Sequence, residues 1–444
     1  MHDGAAVFIN RIIQENVYSS FNASFVTTLL GPRRVGKSML VQHFIQQHPD
    51  CLWVLLNLDD RLLRDQIEQQ KLRELIQVAA KQIIGGDRKI WVAIDEAQKC
   101  PAIFEQIKIL YDEYKDDKDV IKFILTGSGQ LSLHQLSAES LAGRVCIFRV
   151  HEFVLREAMQ LFNPAYQVVS SLADKILRTD FAPPAFKIDE CLFWYKESLL
   201  ALSELLVFGG FPEVLQSATK NSKQQYLSNY LQTYLEKDIR DLETIFDLRL
   251  YNNMMRILAE QTGSQRSEQA IAESLCCSRD TLNKYRGFLI ATLLYEEIYP
   301  FIGSSLRQLV KSPKGYLLNN GLISNLTGID DFAVLEKTAL IGHRLENWLL
   351  NELKVRLSLI AERSEITYWR TRGGAEVDFV VRIGSDFVCP FEVTYAKKIQ
   401  AKKIRNLMSF LAEEPKAQWG YYVYLGDFYC DIAQKIVFIP AWAM

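Results

Sequence analysis

Residues 29–44 read LLGPRRVGKSMLVQHF. Gly31 and Gly36 bracket four residues, and Lys37-Ser38 opens a segment with Leu40 and Phe44 at helical spacing. The preceding FVTTLL, residues 25–30, is a short apolar β-prone run that ends at Gly31. Strand, loop and helix in that order fit the pattern G-x-x-x-x-G-K-[ST]. Glycines at both ends permit backbone torsions closed to other residues. The loop N–H groups then converge on phosphate oxygens at a helix N-terminus, where the helix dipole also favours negative charge. Lys37 is expected to neutralise the β- and γ-phosphates, and the Ser38 hydroxyl is a hard oxygen ligand suited to Mg²⁺. The expected ligands are therefore ATP and Mg²⁺, held by Gly31, Pro32, Arg33, Arg34, Val35, Gly36, Lys37, Ser38 and Met39. The competing reading is a glycine loop that holds no nucleotide.

Further along, KIWVAIDEA (89–97) is an apolar strand ending in Asp95 and Glu96. A parallel sheet delivers such residues to the crevice at its carboxyl edge. Asp95 is expected to hold Mg²⁺ through its water shell, and Glu96 to take a proton from an attacking water. An ordinary acidic strand exit is the alternative. VIKFILTGSG (120–129) is another strand. Thr126 and Ser128 at its end are expected to sense the γ-phosphate or orient water; a plain Gly-Ser turn competes. Arg144, in LAGRV, is expected to stabilise the transferring phosphoryl group from its own or a neighbouring subunit. A surface ion pair is the rival reading.

The 444 residues are enough for about three domains at ~150 residues each. The formal charge of −2 offers no global basic bias toward nucleic acid, so any such site must be a local patch. Eight cysteines are scattered without C-x-x-C spacing, as expected of free, buried thiols in a reducing compartment. The N-terminus lacks a signal-peptide pattern, and no apolar run reaches the ~18 residues of a spanning helix. The expectation is a cytoplasmic, soluble protein with no membrane contact.

CLWVLLNLDD (51–60) and RVCIFRV (144–150) read as further strands, and residues 67–84 as one helix. Apolar strands alternating with helices predict a mainly parallel α/β sheet. Beyond residue 150 the pattern turns helical, with a Gly-Gly-Phe-Pro turn at 209–212. Residues 163–190 read as a long connection broken at Pro183-Pro184. Strands return after 313 in ITYWRT, EVDFVVRI, FVCPFEVTY and WGYYVYL.

The ordered set GPRRVGKS, AIDEAQ, LTGSG, LAGR, FGGFPE, YLEKDIRDL and GAEVDFVV resembles a family of bacterial and archaeal AAA-like P-loop ATPases. Members carry a winged helix and a C-terminal domain like restriction endonucleases. The resemblance covers nearly the whole chain. It implies an ASCE-type sheet with the sensor strand between the phosphate-loop strand and the acidic strand. It also implies Arg34 and Gln98 as nucleotide-site neighbours. The expected domains are an AAA-like core (1–155), a helical lid (156–247), a winged helix (248–312) and a restriction-endonuclease-like α/β domain (313–444).

In residues 267–301 the apolar spacing is that of a helix-turn-helix followed by a strand, with Ala270, Ile271 and Leu275 on one helix and Leu282, Tyr285 and Leu289 on the next. The outer face of the second helix offers Arg279, Thr281, Asn283, Lys284 and Arg286 to double-stranded DNA. Asp280, Glu296 and Glu297 dilute that charge, and protein contact is equally compatible. The resemblance maps Asp378 and Glu392 onto the metal-binding pair of the nuclease fold. Two departures stand out. Thr394 occupies the place of the lysine two positions past the glutamate, and Asn319 stands where the family has an acid. Cleavage is therefore not expected. Structural pairing of these acids with Arg370 or Arg372 is the plainer reading, and KKIQAKKIR (397–405), five basic residues in nine, reads as a solvated face.

The expected function is an ATP-hydrolysing switch or motor associated with DNA and able to assemble with further copies. The alternatives are a scaffold ATPase that binds protein, and an ATP-gated metal-dependent nuclease.

Overall fold

The computed structural model describes residues 8–444 apart from 82–83, 85–87, 118–119, 129–140, 142, 168–170, 179–182, 184–187, 189–191, 238–246, 266 and 302–311. The chain divides into two compact units. The first is residues 1–151, grouped with 291–293; the second is the remainder.

In the first unit the apolar runs form five strands: β1 (Val26–Leu30), β2 (Leu52–Asn57), β3 (Ile90–Asp95), β4 (Ile121–Gly127) and β5 (Val145–Arg149). Their order is β2-β3-β4-β1-β5, and every pair is parallel. β4 thus lies between β1 and β3, as the resemblance implies. Strands β1 and β4 are buried along their whole length, which explains their unbroken apolar sequence. Helices α1 (Gln14–Ala23), α2 (Lys37–Gln47), α3 (Arg61–Glu68), α4 (Leu72–Ala80) and α5 (Ala102–Tyr114) accompany the sheet among the described residues.

The single helix expected at 67–84 is instead broken. α3 ends at Glu68, α4 starts at Leu72, and Gln70 adopts φ +64°. The cause lies on α5. Buried Gln106 accepts from the Leu72 N–H at 2.9 Å and donates to the Ile67 carbonyl at 2.6 Å. One side chain satisfies backbone groups at both helix ends, and residue spacing within 67–84 carries no trace of it.

The second unit opens with helical structure. α6 (Tyr195–Phe208) ends at Gly209 with φ +68°, and Pro212 starts a short helix, giving the expected turn. α7 (Lys220–Lys237) and α8 (Leu248–Glu260) follow. The YLEKDIRDL motif runs into 238–246, outside the described residues, as do most of residues 179–191 around Pro184. α9 (Glu268–Ser274) and α10 (Arg279–Ala291) are joined by a turn in which Cys276 has φ +51°. Ile271, Leu282, Tyr285 and Leu289 are buried as the spacing predicts, but Ala270 is exposed and Ala272 takes its place. β6 (Ser264–Gln265), β7 (Tyr295–Ile298) and β8 (Lys314–Leu317) form an antiparallel sheet in the order β6-β8-β7. The expected boundary at 312 therefore falls between two strands that pair.

The last part holds α11 (Asn320–Thr327), α12 (Leu340–Leu357) and α13 (Ala401–Glu413). Its six strands are β9 (Ser364–Arg370), β10 (Glu376–Ile383), β11 (Phe387–Val393), β12 (Gly420–Tyr424), β13 (Tyr429–Asp431) and β14 (Ile436–Pro440), in the order β13-β14-β12-β11-β10-β9. The sheet is mixed: β9-β10-β11 is antiparallel, whereas β11-β12-β14 is parallel.

Of the described cysteines only Cys100 and Cys389 are buried, fewer than expected, and all are free thiols. No helix among the described residues is long and apolar enough to cross a membrane.

Candidate nucleotide site and the acidic clusters

The loop begins where β1 ends. A β-carbon at Gly31 would collide with the Val150 carbonyl, so packing within the domain also demands glycine there. Gly36 has φ +97° and starts α2. Between them Arg34 sits at φ +65°, an uncommon conformation for a residue with a side chain.

Lys37 is only 6% exposed, and its Nζ donates to the carbonyls of Gly31 (2.9 Å) and Pro32 (2.8 Å). Burial pushes its ammonium down to about 8, against the pull of Glu96 and Asp95 and with some help from Arg33. The parallel register sets Ile94 beside Leu125, so the strand ends bring Asp95 and Thr126 together. Thr126 Oγ1 donates to Asp95 Oδ1, and Ser38 Oγ donates to Asp95 Oδ2 at 3.3 Å. Glu96 has φ +54°, a strained position of the kind that gathers at functional sites. Its Oε2 accepts from Ser128 Oγ at 3.0 Å and from Gln98 Nε2, which also donates to Ser128 Oγ at 3.1 Å. Gln98 Oε1 is buried with no partner among the described residues.

This donor set fits a magnesium-bound triphosphate. Phosphate oxygens can take over Lys37 from the two loop carbonyls. Ser38 and Asp95 supply a hydroxyl and a carboxylate, the hard oxygens Mg²⁺ prefers. Glu96, steadied by Ser128 and Gln98, is the second carboxylate of the group.

Residues 23–159 match the family model described as AAA domain. Over that stretch the fold is that of an AAA domain, built on the five-stranded parallel sheet. Residues 199–333 and 341–444 match two domains of unknown function (DUF8612 and DUF4143). An uncharacterized protein of Mycobacterium tuberculosis is 25% identical over 420 residues, covering 94% of this chain and 80% of the relative. One from Methanocaldococcus jannaschii is 21% identical over 373 residues, covering 84% and 75%. Among solved structures, the Walker-type ATPase of Pyrococcus abyssi aligns with a TM-score of 0.44 and 15% identity, covering 72% of this chain and 96% of the other.

Within the AAA domain Arg144 does not join the loop. Val145 pairs with Val26 at the start of β1, whereas the loop follows Leu30 at the other end. At ~3.3 Å per residue the strand puts roughly 16 Å between the two edges. Arg144 instead pairs with Asp112 at 3.3 Å and lies over the Tyr111 ring. Sequence spacing also missed Arg11, whose guanidinium bonds the Val35 carbonyl of the loop. Its one sequence signal is a charge between two apolar positions, Ile9 and Ile13, that are both buried.

On α10 the expected DNA-facing charges are largely engaged. Arg286 pairs with Glu268 (2.8 Å) and Glu297 (3.1 Å), and Arg279 donates to Gln269 Oε1 at 2.7 Å. Asn283 accepts from Arg286 at 3.0 Å. Thr281 Oγ1 meets Ser278 Oγ at 2.9 Å.

In the last domain Asp378 and Glu392 come together through a lysine that is not in their strand motif. Lys403 of α13 reaches Asp378 Oδ2 (2.7 Å) and Glu392 Oε2 (2.6 Å). Lys314 of β8 bonds Glu376 at 2.6 Å and Glu346 at 3.4 Å. Arg370 touches only Glu376 of these acids, at 3.6 Å, and Arg372 is exposed, so the expected arginine pairing of Asp378 and Glu392 gives way to lysines. Thr394 instead accepts from Gln400 at 3.1 Å. Burial alone would raise Asp378, but Lys403 and Lys314 hold it below the usual carboxylate range. Burial and the Asp378 charge push Glu392 well up. No group of three or more metal-ligating side chains forms among the described residues, but two carboxylates suffice as the protein share of a hydrated Mg²⁺ shell.

Asn319 has a local reason. Its Nδ2 donates to Glu152, and its Oδ1 caps α11 through the Leu322 N–H at 2.9 Å. Glu152 also accepts from Gly210 N (3.1 Å) and Asn351 (3.1 Å), and burial pushes its carboxyl up to about 7. An acid at 319 would set a second carboxyl against it. Asn319→Asp is expected to destabilise the chain by about 2 kcal/mol, the scale for leaving a buried polar group unsatisfied. The loss should grow as pH rises from 5 to 8 and Glu152 ionises, measured as the urea midpoint at each pH. A pH-independent loss would mean that the two side chains do not interact.

Proposed function

We propose that this chain is an ATP-hydrolysing switch that acts as an assembly of copies and engages DNA. The observation that carries the reading is the convergence of Ser38, Asp95 and Thr126 beside a Glu96 held by Ser128 and Gln98. Bound magnesium would supply positive charge against the phosphate oxygens. Lys37 and the loop amides bind and orient the triphosphate. Glu96 accepts the proton of the attacking water, and Ser128 and Gln98 fix its carboxylate.

The arginine of such a reaction would come from another copy, because Arg144 stands at the far edge of its own sheet and is partly exposed. Arg144→Ala should leave ATP affinity unchanged and lower turnover by about 10³-fold, the lower range for an arginine finger. Specific activity should rise with protein concentration in the wild type. Concentration-independent turnover that survives the substitution would exclude the shared site.

For DNA contact, the basic run of the last domain suits the role better than α10. Lys397, Lys398, Lys402 and Arg405 are exposed, while Arg286 is spent inside its own domain. A second reading, the ATP-gated nuclease, gains from the position of Lys403 between Asp378 and Glu392. There the two acids would hold Mg²⁺, and Lys403 would supply the charge that Thr394 cannot. The deciding experiment is ATPase turnover with and without duplex DNA across protein concentrations, followed by inspection of supercoiled DNA left with Mg²⁺ or Mn²⁺. Stimulation with intact DNA supports the switch. Nicking that is lost in Lys403→Ala supports the nuclease. No DNA effect at any salt concentration turns the reading toward a protein-binding scaffold.

A further inference from the structure

We infer that Arg11 is a positioning residue for nucleotide binding, holding the Val35–Gly36 peptide with its N–H turned toward the phosphate cradle. This rests on the ATP reading of the loop. Arg11 lies just before α1 and is 6% exposed. Its Nη1 donates to the Val35 carbonyl at 2.8 Å and its Nη2 to the His151 carbonyl at 2.6 Å. A trans peptide points its C=O and N–H in opposite directions. A carbonyl at 35 bonded to the buried guanidinium therefore sends the Gly36 N–H away from Arg11.

The loop needs such a restraint. Arg34 and Gly36 both have positive φ, +65° and +97°, on either side of Val35. For Arg34 that conformation is unfavourable and persists only where the surroundings impose it. The second prong of the fork reaches the chain just after β5, where the Val150 N–H donates to the Leu30 carbonyl at 2.6 Å and the Val150 carbonyl crowds Gly31. The loop is thus held at both of its ends, at Gly31 by strand packing and at Val35 by Arg11. A planar guanidinium presents two donors at fixed separation, which suits two carbonyls; an ammonium on a flexible stem does not.

The test uses the full chain with Arg11→Gln and Arg11→Lys, and reads ATP affinity by calorimetry, steady-state kinetics and the nucleotide-free melting temperature. Arg11→Gln is expected to weaken ATP binding about tenfold, the scale of one charge-assisted hydrogen bond. Arg11→Lys keeps the charge and the stem, and it should fold even where the glutamine variant does not. It should raise KM severalfold and leave kcat unchanged. A lowered melting temperature with unaltered ATP affinity in the folded variants makes Arg11 merely structural and overturns the inference. Absence of ATP heat in the wild type would instead remove the nucleotide reading beneath it, so the two failures are distinct.

Discussion

Replacing Glu96 with glutamine is expected to leave ATP bound and slow its hydrolysis by about 10²–10⁴-fold, the usual contribution of a positioned general base. The substitution is close to isosteric. Ser128 Oγ, 3.0 Å from Glu96 Oε2, can still donate to the new amide oxygen, so the strained φ of +54° and its surroundings are kept. What disappears is the capacity to accept a proton. Binding depends on Lys37 and the loop amides, none of which bonds Glu96 directly among the described contacts. The variant should therefore trap the nucleotide, visible as an unchanged dissociation constant with a vanishing single-turnover rate. Retained hydrolysis would place the base elsewhere. Ser128→Ala should give a smaller loss, since Gln98 still contacts the carboxylate.

Lys37→Ala should remove nucleotide binding, by about 10²-fold or more, because the triphosphate loses a charge-assisted hydrogen bond from a buried ammonium. The empty domain should not suffer equally. Burial already depresses the Lys37 ammonium to about 8, so its charge is unfavourable there at neutral pH. The sign follows from proton counting. Between pH 8 and 10.5 the unfolded chain holds the Lys37 proton and the folded one does not, so stability rises with pH across that window. Below pH 8 both states are protonated and the full penalty remains. At neutral pH the alanine variant should thus melt no lower than the wild type without nucleotide, while ATP no longer raises its melting point. The same depression makes wild-type binding draw in a proton above pH 8, because phosphate restores the charged form. Calorimetry at pH 9 in buffers of different ionisation enthalpy should register that uptake, and ATP affinity should decline as pH rises further. Binding without proton uptake would show that Lys37 is already charged in the empty loop.

The residues of the nucleotide site lie in three short stretches, 31–39, 95–98 and 126–128, each at the carboxyl end of an apolar run. A parallel sheet gathers such ends along one edge whatever the connections between them, so the sequence by itself determined the α/β class and the grouping of Lys37, Ser38, Asp95, Glu96, Thr126 and Ser128, while the place of β4 between β1 and β3 came from the family resemblance. Hydrophobic periodicity likewise placed the buried face of α10 and the strands β9 to β12. It passed over β14, a five-residue IVFIP run that is seen as a strand through its pairing with β12 and β13.

Tertiary structure alone decided which charges are used and where. Arg144 looked like a site residue because it follows the sensor strand, but its register with β1 puts it at the opposite edge. Arg286 looked available until Glu268 and Glu297 came to face it from a neighbouring helix and strand. Lys403 lay within a basic run that read as solvated, yet α13 carries it onto two carboxylates from β10 and β11. Arg11 meets a carbonyl 140 residues away. The physical reason is common to all four. Backbone geometry and burial follow from neighbours within a few residues, whereas a buried charge takes its partner from wherever packing delivers one, and that partner decides what the charge can do.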